Sequence, residues 1–254
     1  MSKKEPTARD IGMLTGELKD GRKRMVFLHS AGATSRLWKD EVAYFNAWYD
    51  TLALDLPGRG GTGGEGEQDA FSYGDFVAEA MRDLDFAPAV IVGLSMGGAV
   101  AQALCLSHPE LVAGLVLMGT GAKMPVAPVI FTSIEKDFDA FLDMSSMVAY
   151  GPDTGREVKE RHRNVFAEVE PEVTFGDYTA CNTFDSRGRL GEIRVPTLII
   201  TGDTDNLMAM KFSAYLDQHI DDARLEVFPG AGHFVMAEAP KKFREVVCRF
   251  MENL

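Results

Sequence analysis

Gly93-Leu94-Ser95-Met96-Gly97-Gly98 places a serine between glycines, where the apolar run Ala89-Val90-Ile91-Val92 gives way to the stretch from Ala99 to Leu106. The first run is short, β-branched and bounded, which suits a buried strand, while the second favours a helix. Ser95 therefore falls at a strand-to-helix turn. Such a turn strains the backbone of its central residue, and the positions two before and two after must be small for strand and helix to approach. Gly93 and Gly97 meet that need. A serine held this way presents Oγ at the carboxyl end of a sheet, and the Met96 N–H at the helix start faces a developing oxyanion. A glycine-rich turn also satisfies Gly-x-Ser-x-Gly, and the order strand, turn, helix separates the two readings.

Length and charge narrow the alternatives. A chain of 254 residues fits one α/β domain with a modest insertion. The net charge of −12 disfavours nucleic acid and anionic membranes as partners. No apolar run approaches the ~20 residues of a membrane span. Met1 to Asp10 is charged and leads into no signal-like apolar core, which speaks against secretion. Cys105, Cys181 and Cys248 are scattered and form no metal-like cluster, so they read as reduced thiols of a cytoplasmic protein.

In chain order, residues 10 to 29 read as a β-hairpin with an Asp20-Gly21 turn and a core strand from Met25 to Leu28. The small-residue loop His29-Ser30-Ala31-Gly32 follows, and with the serine turn present the Ala31 N–H becomes the candidate second oxyanion donor. Thr34 to Ala47 has helical apolar spacing, with Trp38 as core or pocket wall. Thr51 to Leu54 is a buried strand. The glycines after Asp55 lack the Lys-Ser/Thr of a phosphate loop, and Asp55 reads as a turn carboxylate. A helix from Phe71 to Asp85 and a strand from Leu111 to Met118 continue an alternation that implies a mostly parallel sheet with helices on both faces. Residues 121 to 190 break this rhythm with helical stretches near 126–149, 155–169 and 172–184. Strands return at Arg194 to Thr201 and Leu225 to Phe228, and an amphipathic helix from Ala237 to Asn253 closes the chain. Asp203 and Asp205 both follow a strand end, where either can cap a turn or reach a histidine.

With these motifs in view, the chain from about Met25 onward resembles the α/β-hydrolases, the small carboxylesterases and enol-lactone hydrolases in particular. The resemblance rests on the His29 loop, Asp55 to Gly60, Gly93 to Gly98, His108 to Val112, Val195 to Ile199, Gly202 to Asp205 and Gly230 to Phe234. The chain departs from it at Ser30, where glycine is common, and at Arg59, often a histidine. The resemblance implies a core of residues 1–120 and 191–254, with residues 121–190 as a helical cap over the serine. It places the catalytic acid on Asp205 and the base on His233. The cap's apolar residues imply a substrate pocket, with Trp38, Phe131, Phe138 and Met144 as its expected contacts.

The expected chemistry is that of a serine hydrolase. His233 takes the Ser95 proton, Asp205 holds the imidazole, and the Met96 and Ala31 N–H groups stabilise the oxyanion. No cofactor or metal is required. The expected substrate is a small, apolar carboxylic ester or lactone, acted on by a monomer or homodimer. Thioester hydrolysis, carbon–carbon bond hydrolysis and perhydrolysis are the alternatives within the family. A ligand receptor on a hydrolase scaffold is the alternative of another class, set against by the presence of all three site residues.

Overall fold

The computed structural model describes residues 11–19 and 21–254. Seven strands form one sheet: β1 (Met13–Thr15), β2 (Arg24–Leu28), β3 (Asp50–Leu54), β4 (Ala89–Leu94), β5 (Val112–Met118), β6 (Thr197–Gly202) and β7 (Ala223–Phe228), in the spatial order β1-β3-β2-β4-β5-β6-β7. From β3 to β7 across the sheet all pairings are parallel, and β1 alone runs antiparallel, against β3. This corrects the expected hairpin. Met13 pairs with Leu54, so the first strand returns to β3 rather than to β2, and Asp20 of the expected turn lies outside the described residues.

Period-two alternation divides the apolar side chains between two cores. Val26, Leu28, Ile91, Leu115 and Ile199 face one side, where α2 (Ala70–Asp83) and α3 (Met96–Ser107) pack. Phe27, Val92, Val116, Leu198 and Ile200 face the other, against α1 (Lys39–Phe45). Between β5 and β6 the chain forms four α-helices: α4 (Pro128–Lys136), α5 (Phe138–Val148), α6 (Arg156–Phe166) and α7 (Pro171–Thr183). The single helix expected over 126–149 is two, because extended Asp137 ends α4 and its carboxylate accepts the Ala140 N–H at 3.0 Å as the N-cap of α5. After β6 come α8 (Met210–His219), the short α9 (Val235–Glu238) and α10 (Pro240–Glu252). Proline at the first position of α10 sets it apart from α9. Phe243, Val246, Val247 and Met251 of α10 bury themselves in the second core.

The parallel arrangement gathers the loops after β2, β4, β6 and β7 at the carboxyl edge of the sheet. In open α/β sheets that edge is where ligand sites form.

Candidate active site

Ser95 stands between β4 and α3 with φ +56° and ψ −116°. Its N–H donates to Met118 O at 2.8 Å, and its carbonyl accepts from the N–H groups of Gly98 and Ala99 at 2.9 and 3.2 Å. These bonds lock a strained residue in place. The turn tolerates no bulk, since a Cβ on Gly97 would lie 2.2 Å from Leu28 O. Among the described residues, neither the Met96 nor the Ala31 N–H has a protein acceptor.

The loop that carries Ala31 is held by His29. His29 Nε2 accepts the Leu56 N–H at 3.2 Å, which places the ring proton on Nδ1, where it donates to Ser30 O at 2.9 Å. Burial, reinforced by the nearby Arg59 charge, lowers the His29 pKa to about 4, so the ring is neutral near pH 7. Ser30 O and the Ala31 N–H belong to one planar trans peptide, so fixing the carbonyl also aims the N–H. Asp55 acts as the turn carboxylate expected, accepting from the Ser35 and Gly61 N–H groups at 2.6 and 3.2 Å.

After β6, Asp205 Oδ1 accepts the Leu207 and Met208 N–H groups at 2.8 and 2.9 Å, while Oδ2 lies 2.8 Å from His233 Nδ1. Burial works against the carboxylate charge. His233 and the two N–H donors outweigh it and hold the Asp205 pKa below the usual range. Asp203 is turned elsewhere, accepting the Gly230 N–H at 2.7 Å. The His233 backbone N–H donates to Ala149 O at 2.7 Å. Glu238 is a residue that sequence reasoning missed. Its carboxylate accepts from the N–H groups of Gly151, Gly232 and Phe234 and from the Thr154 hydroxyl, at 2.7 to 3.2 Å. It thus fastens the histidine loop to the loop between α5 and α6, a link between distant positions that no local motif marks.

Ser95 and His233 line one cavity of about 260 Å³, together with Ser30 and Ala31. No hydrogen bond joins the Ser95 hydroxyl to His233 here, and such contacts commonly tighten only with substrate bound. The opposite wall comes from the inserted helices and includes Ile130, Leu142, Met144 and Phe166. Of the four expected substrate contacts, only Met144 lines this cavity. Trp38 is fully buried in the core, with its ring 5.2 Å from Phe27. Phe131 of α4 packs on Phe175 of α7 at 5.0 Å, joining those two helices, and Phe138 stacks on Phe141 within α5 at 5.7 Å. The apolar wall falls instead to aliphatic side chains and to other aromatics, Phe166, Tyr178, Phe234 and Tyr150, whose hydroxyl is 2.7 Å from His162 Nδ1. Among the described residues, no group of three or more His, Cys, Asp or Glu is placed to hold a metal ion, and no helix is long and apolar enough to cross a membrane.

Ser95, Ala31 and His233 thus line one apolar cavity, with His233 oriented by the buried carboxylate of Asp205. The chain belongs to the α/β-hydrolase family, whose family model matches residues 25–246. It is 28% identical over 258 residues to the 2-hydroxy-6-oxononadienedioate/2-hydroxy-6-oxononatrienedioate hydrolase of Burkholderia vietnamiensis, covering 92% of this chain and 88% of that one. It is 26% identical to the pimeloyl-[acyl-carrier protein] methyl ester esterase of Nitrosospira multiformis, covering 89% and 93%. A solved thermophilic esterase superposes with a TM-score of 0.83 at 30% identity over 96% of this chain and 98% of its own.

Proposed function

We propose that the protein is a serine hydrolase that cleaves a small, apolar carboxylic ester or lactone through an acyl-enzyme. The carrying observation is that Ser95 opens into the same apolar cavity as a histidine whose other ring nitrogen meets the buried Asp205. His233 takes the Ser95 hydroxyl proton as Oγ attacks the acyl carbon, and the oxyanion that forms sits on the Met96 and Ala31 N–H groups. His233 then gives that proton to the leaving oxygen. Water, deprotonated by the same imidazole, splits the acyl-enzyme and releases the acid.

In this reading the inserted helices α4 to α7 act as a cap. The small cavity and its predominantly aliphatic wall favour a short, uncharged acyl group. One cation lines it among the described residues, Arg163, and that guanidinium is bound by Asp143 and Asp139 at 2.6 and 3.2 Å. A dioate, the substrate type in the name of the Burkholderia relative, would find no free counter-charge there, which ranks ester hydrolysis above carbon–carbon cleavage.

Incubation with a fluorophosphonate, followed by peptide mass spectrometry, tests the assignment beside a panel of p-nitrophenyl esters of increasing acyl length. Stoichiometric labelling of Ser95, lost in His233→Ala, is the expected result. Labelling elsewhere, or undiminished labelling in that variant, would reject it.

A further inference from the structure

Asp177 lies in α7, a helix of the cap, yet its carboxylate is fully buried against three segments of the core. Its Oδ2 accepts the Gly32 N–H at 2.8 Å and Arg59 Nη1 at 2.5 Å. Its Oδ1 accepts Arg59 Nη2 at 2.7 Å and the Tyr73 hydroxyl at 2.6 Å. Four donors saturate the carboxylate, and the bidentate guanidinium fixes its plane. Arg59 is held in turn by Pro57 O, 3.3 Å from Nε, and by the Tyr73 oxygen, 2.9 Å from Nη2.

The Gly32 bond reaches the oxyanion loop. Gly32 has φ +67°, and a Cβ there would meet Thr174 of α7 at 3.1 Å, so the loop and the cap helix are in close contact. His29 fixes the peptide that bears the Ala31 N–H, through Ser30 O. Asp177 fixes the next peptide, through the Gly32 N–H. The two planes flank the Ala31 Cα, so its φ and ψ, and with them the direction of the Ala31 N–H, are set jointly by one core histidine and one cap carboxylate.

We infer that Asp177 is a positioning residue that couples docking of the cap to the geometry of the oxyanion site, the Ala31 N–H being aimed correctly only while α7 is seated on Arg59. The inference rests on the serine-hydrolase reading. It also gives a physical reason for arginine at position 59: a bidentate cation matches a carboxylate arriving from the cap, which an imidazole does not.

The test is Asp177→Asn in the full-length protein, assayed on a short p-nitrophenyl ester and with a trifluoromethyl ketone that forms an oxyanion on Ser95. Removing an oxyanion donor outright lowers kcat about 100- to 1000-fold in comparable sites. Misaiming one should lower kcat roughly 10- to 100-fold, weaken the trifluoromethyl ketone in parallel, and leave KM within about threefold. The substitution Asp177→Asn leaves the Arg59 charge buried and unpaired, so the variant can fail to fold. The double variant Arg59→Met/Asp177→Leu removes the charge pair together and carries the same expectation for kcat and inhibitor. A lowered Tm with kcat and inhibitor affinity within twofold of wild type, in whichever variant folds, would overturn the inference and leave Asp177 a simple brace. Failure of the wild-type protein to label at Ser95 would instead reject the underlying reading.

Discussion

Asp205 meets His233 Nδ1 at 2.8 Å, whereas Asp203, two residues earlier in the same loop, spends its carboxylate on the Gly230 N–H. Only the first can hold the imidazole with its proton on Nδ1 and its Nε2 free to accept from Ser95. Asp205→Asn should therefore lower kcat by about 10⁴-fold through the wrong tautomer. Asp203→Asn should stay within roughly tenfold of wild type, losing part of one charge-assisted hydrogen bond in a loop. Steady-state kinetics on a single ester decides between them, and the opposite ranking would move the acid to Asp203.

Glu238 makes a prediction that links stability to activity. Its carboxylate gathers the N–H groups of Gly151, Gly232 and Phe234, the last two flanking His233. Glu238→Ala leaves these donors without their acceptor, at a cost of about 3 kcal/mol. In a domain of this size that is a Tm lower by about 6–12 °C. Because the freed loop carries His233, the proposed base, kcat should fall at least several-fold at temperatures where the variant is still folded. Thermal unfolding and kinetics on one preparation check both halves. A large Tm loss with unchanged kcat would show that the histidine loop holds its shape without Glu238.

Glu41 should show in the pH dependence of stability. It is buried, and desolvation raises its pKa to about 7 despite the Arg244 guanidinium 3.1 Å away. The folded-state value lies above the unfolded one, so the contribution to stability is complete below the ordinary carboxylate pKa and is lost as pH rises through about 7. Relative to wild type, Glu41→Gln should thus gain stability between pH 5 and 8, by roughly 2 kcal/mol. Urea unfolding at several pH values measures the difference, and a constant offset between the two proteins would mean that Glu41 stays ionised throughout.

Local patterns made the strained turn at Ser95 and the pairing of Asp205 with His233 legible in the sequence, because each lies within a few residues of a strand end where side-chain direction is dictated by the backbone. The parallel sheet was legible through the alternation of short, continuous apolar runs with helical stretches. The partner of β1 was not: an alternating segment shows which face is buried but not which edge it joins, and Met13 found Leu54 instead of a neighbour in sequence. Apolar composition points to a pocket wall but not to which apolar side chains form it, and of Trp38, Phe131, Phe138 and Met144 only Met144 lines the cavity. Phe131 joins α4 to α7 through Phe175, Phe138 stacks on Phe141 within α5, and Trp38 fills the core under β2, because large rings bury the most apolar area in such packing. Asp177 and Glu238 were invisible for a different reason. Each is a single carboxylate that ties its own segment to partners far away in the chain, Asp177 to Gly32, Arg59 and Tyr73, and Glu238 to Gly151 and Thr154, and hydrogen bonds over such separations leave no periodicity.

Ser95 offers a last prediction, in which activity and stability move in opposite directions. A residue other than glycine at φ +56° and ψ −116° costs on the order of 1–3 kcal/mol, held here by the bonds of its N–H to Met118 O and of its carbonyl to Gly98 and Ala99. Ser95→Ala keeps the Cβ and so keeps the strain, and its Tm should stay within about 2 °C of wild type. Ser95→Gly removes the Cβ. It gives back roughly 0.5–1 kcal/mol through the greater freedom of the unfolded chain, leaving a net gain of about 1 kcal/mol, or roughly 2–4 °C in Tm. Both variants lack the proposed nucleophile and should be inactive toward esters. Calorimetry of the three proteins in one buffer is sufficient, because the comparison of Gly with Ala cancels the loss of the hydroxyl. If Ser95→Gly proves no more stable than Ser95→Ala, the strain at the elbow is too small to matter. The glycines around it would then be required for the approach of strand and helix alone.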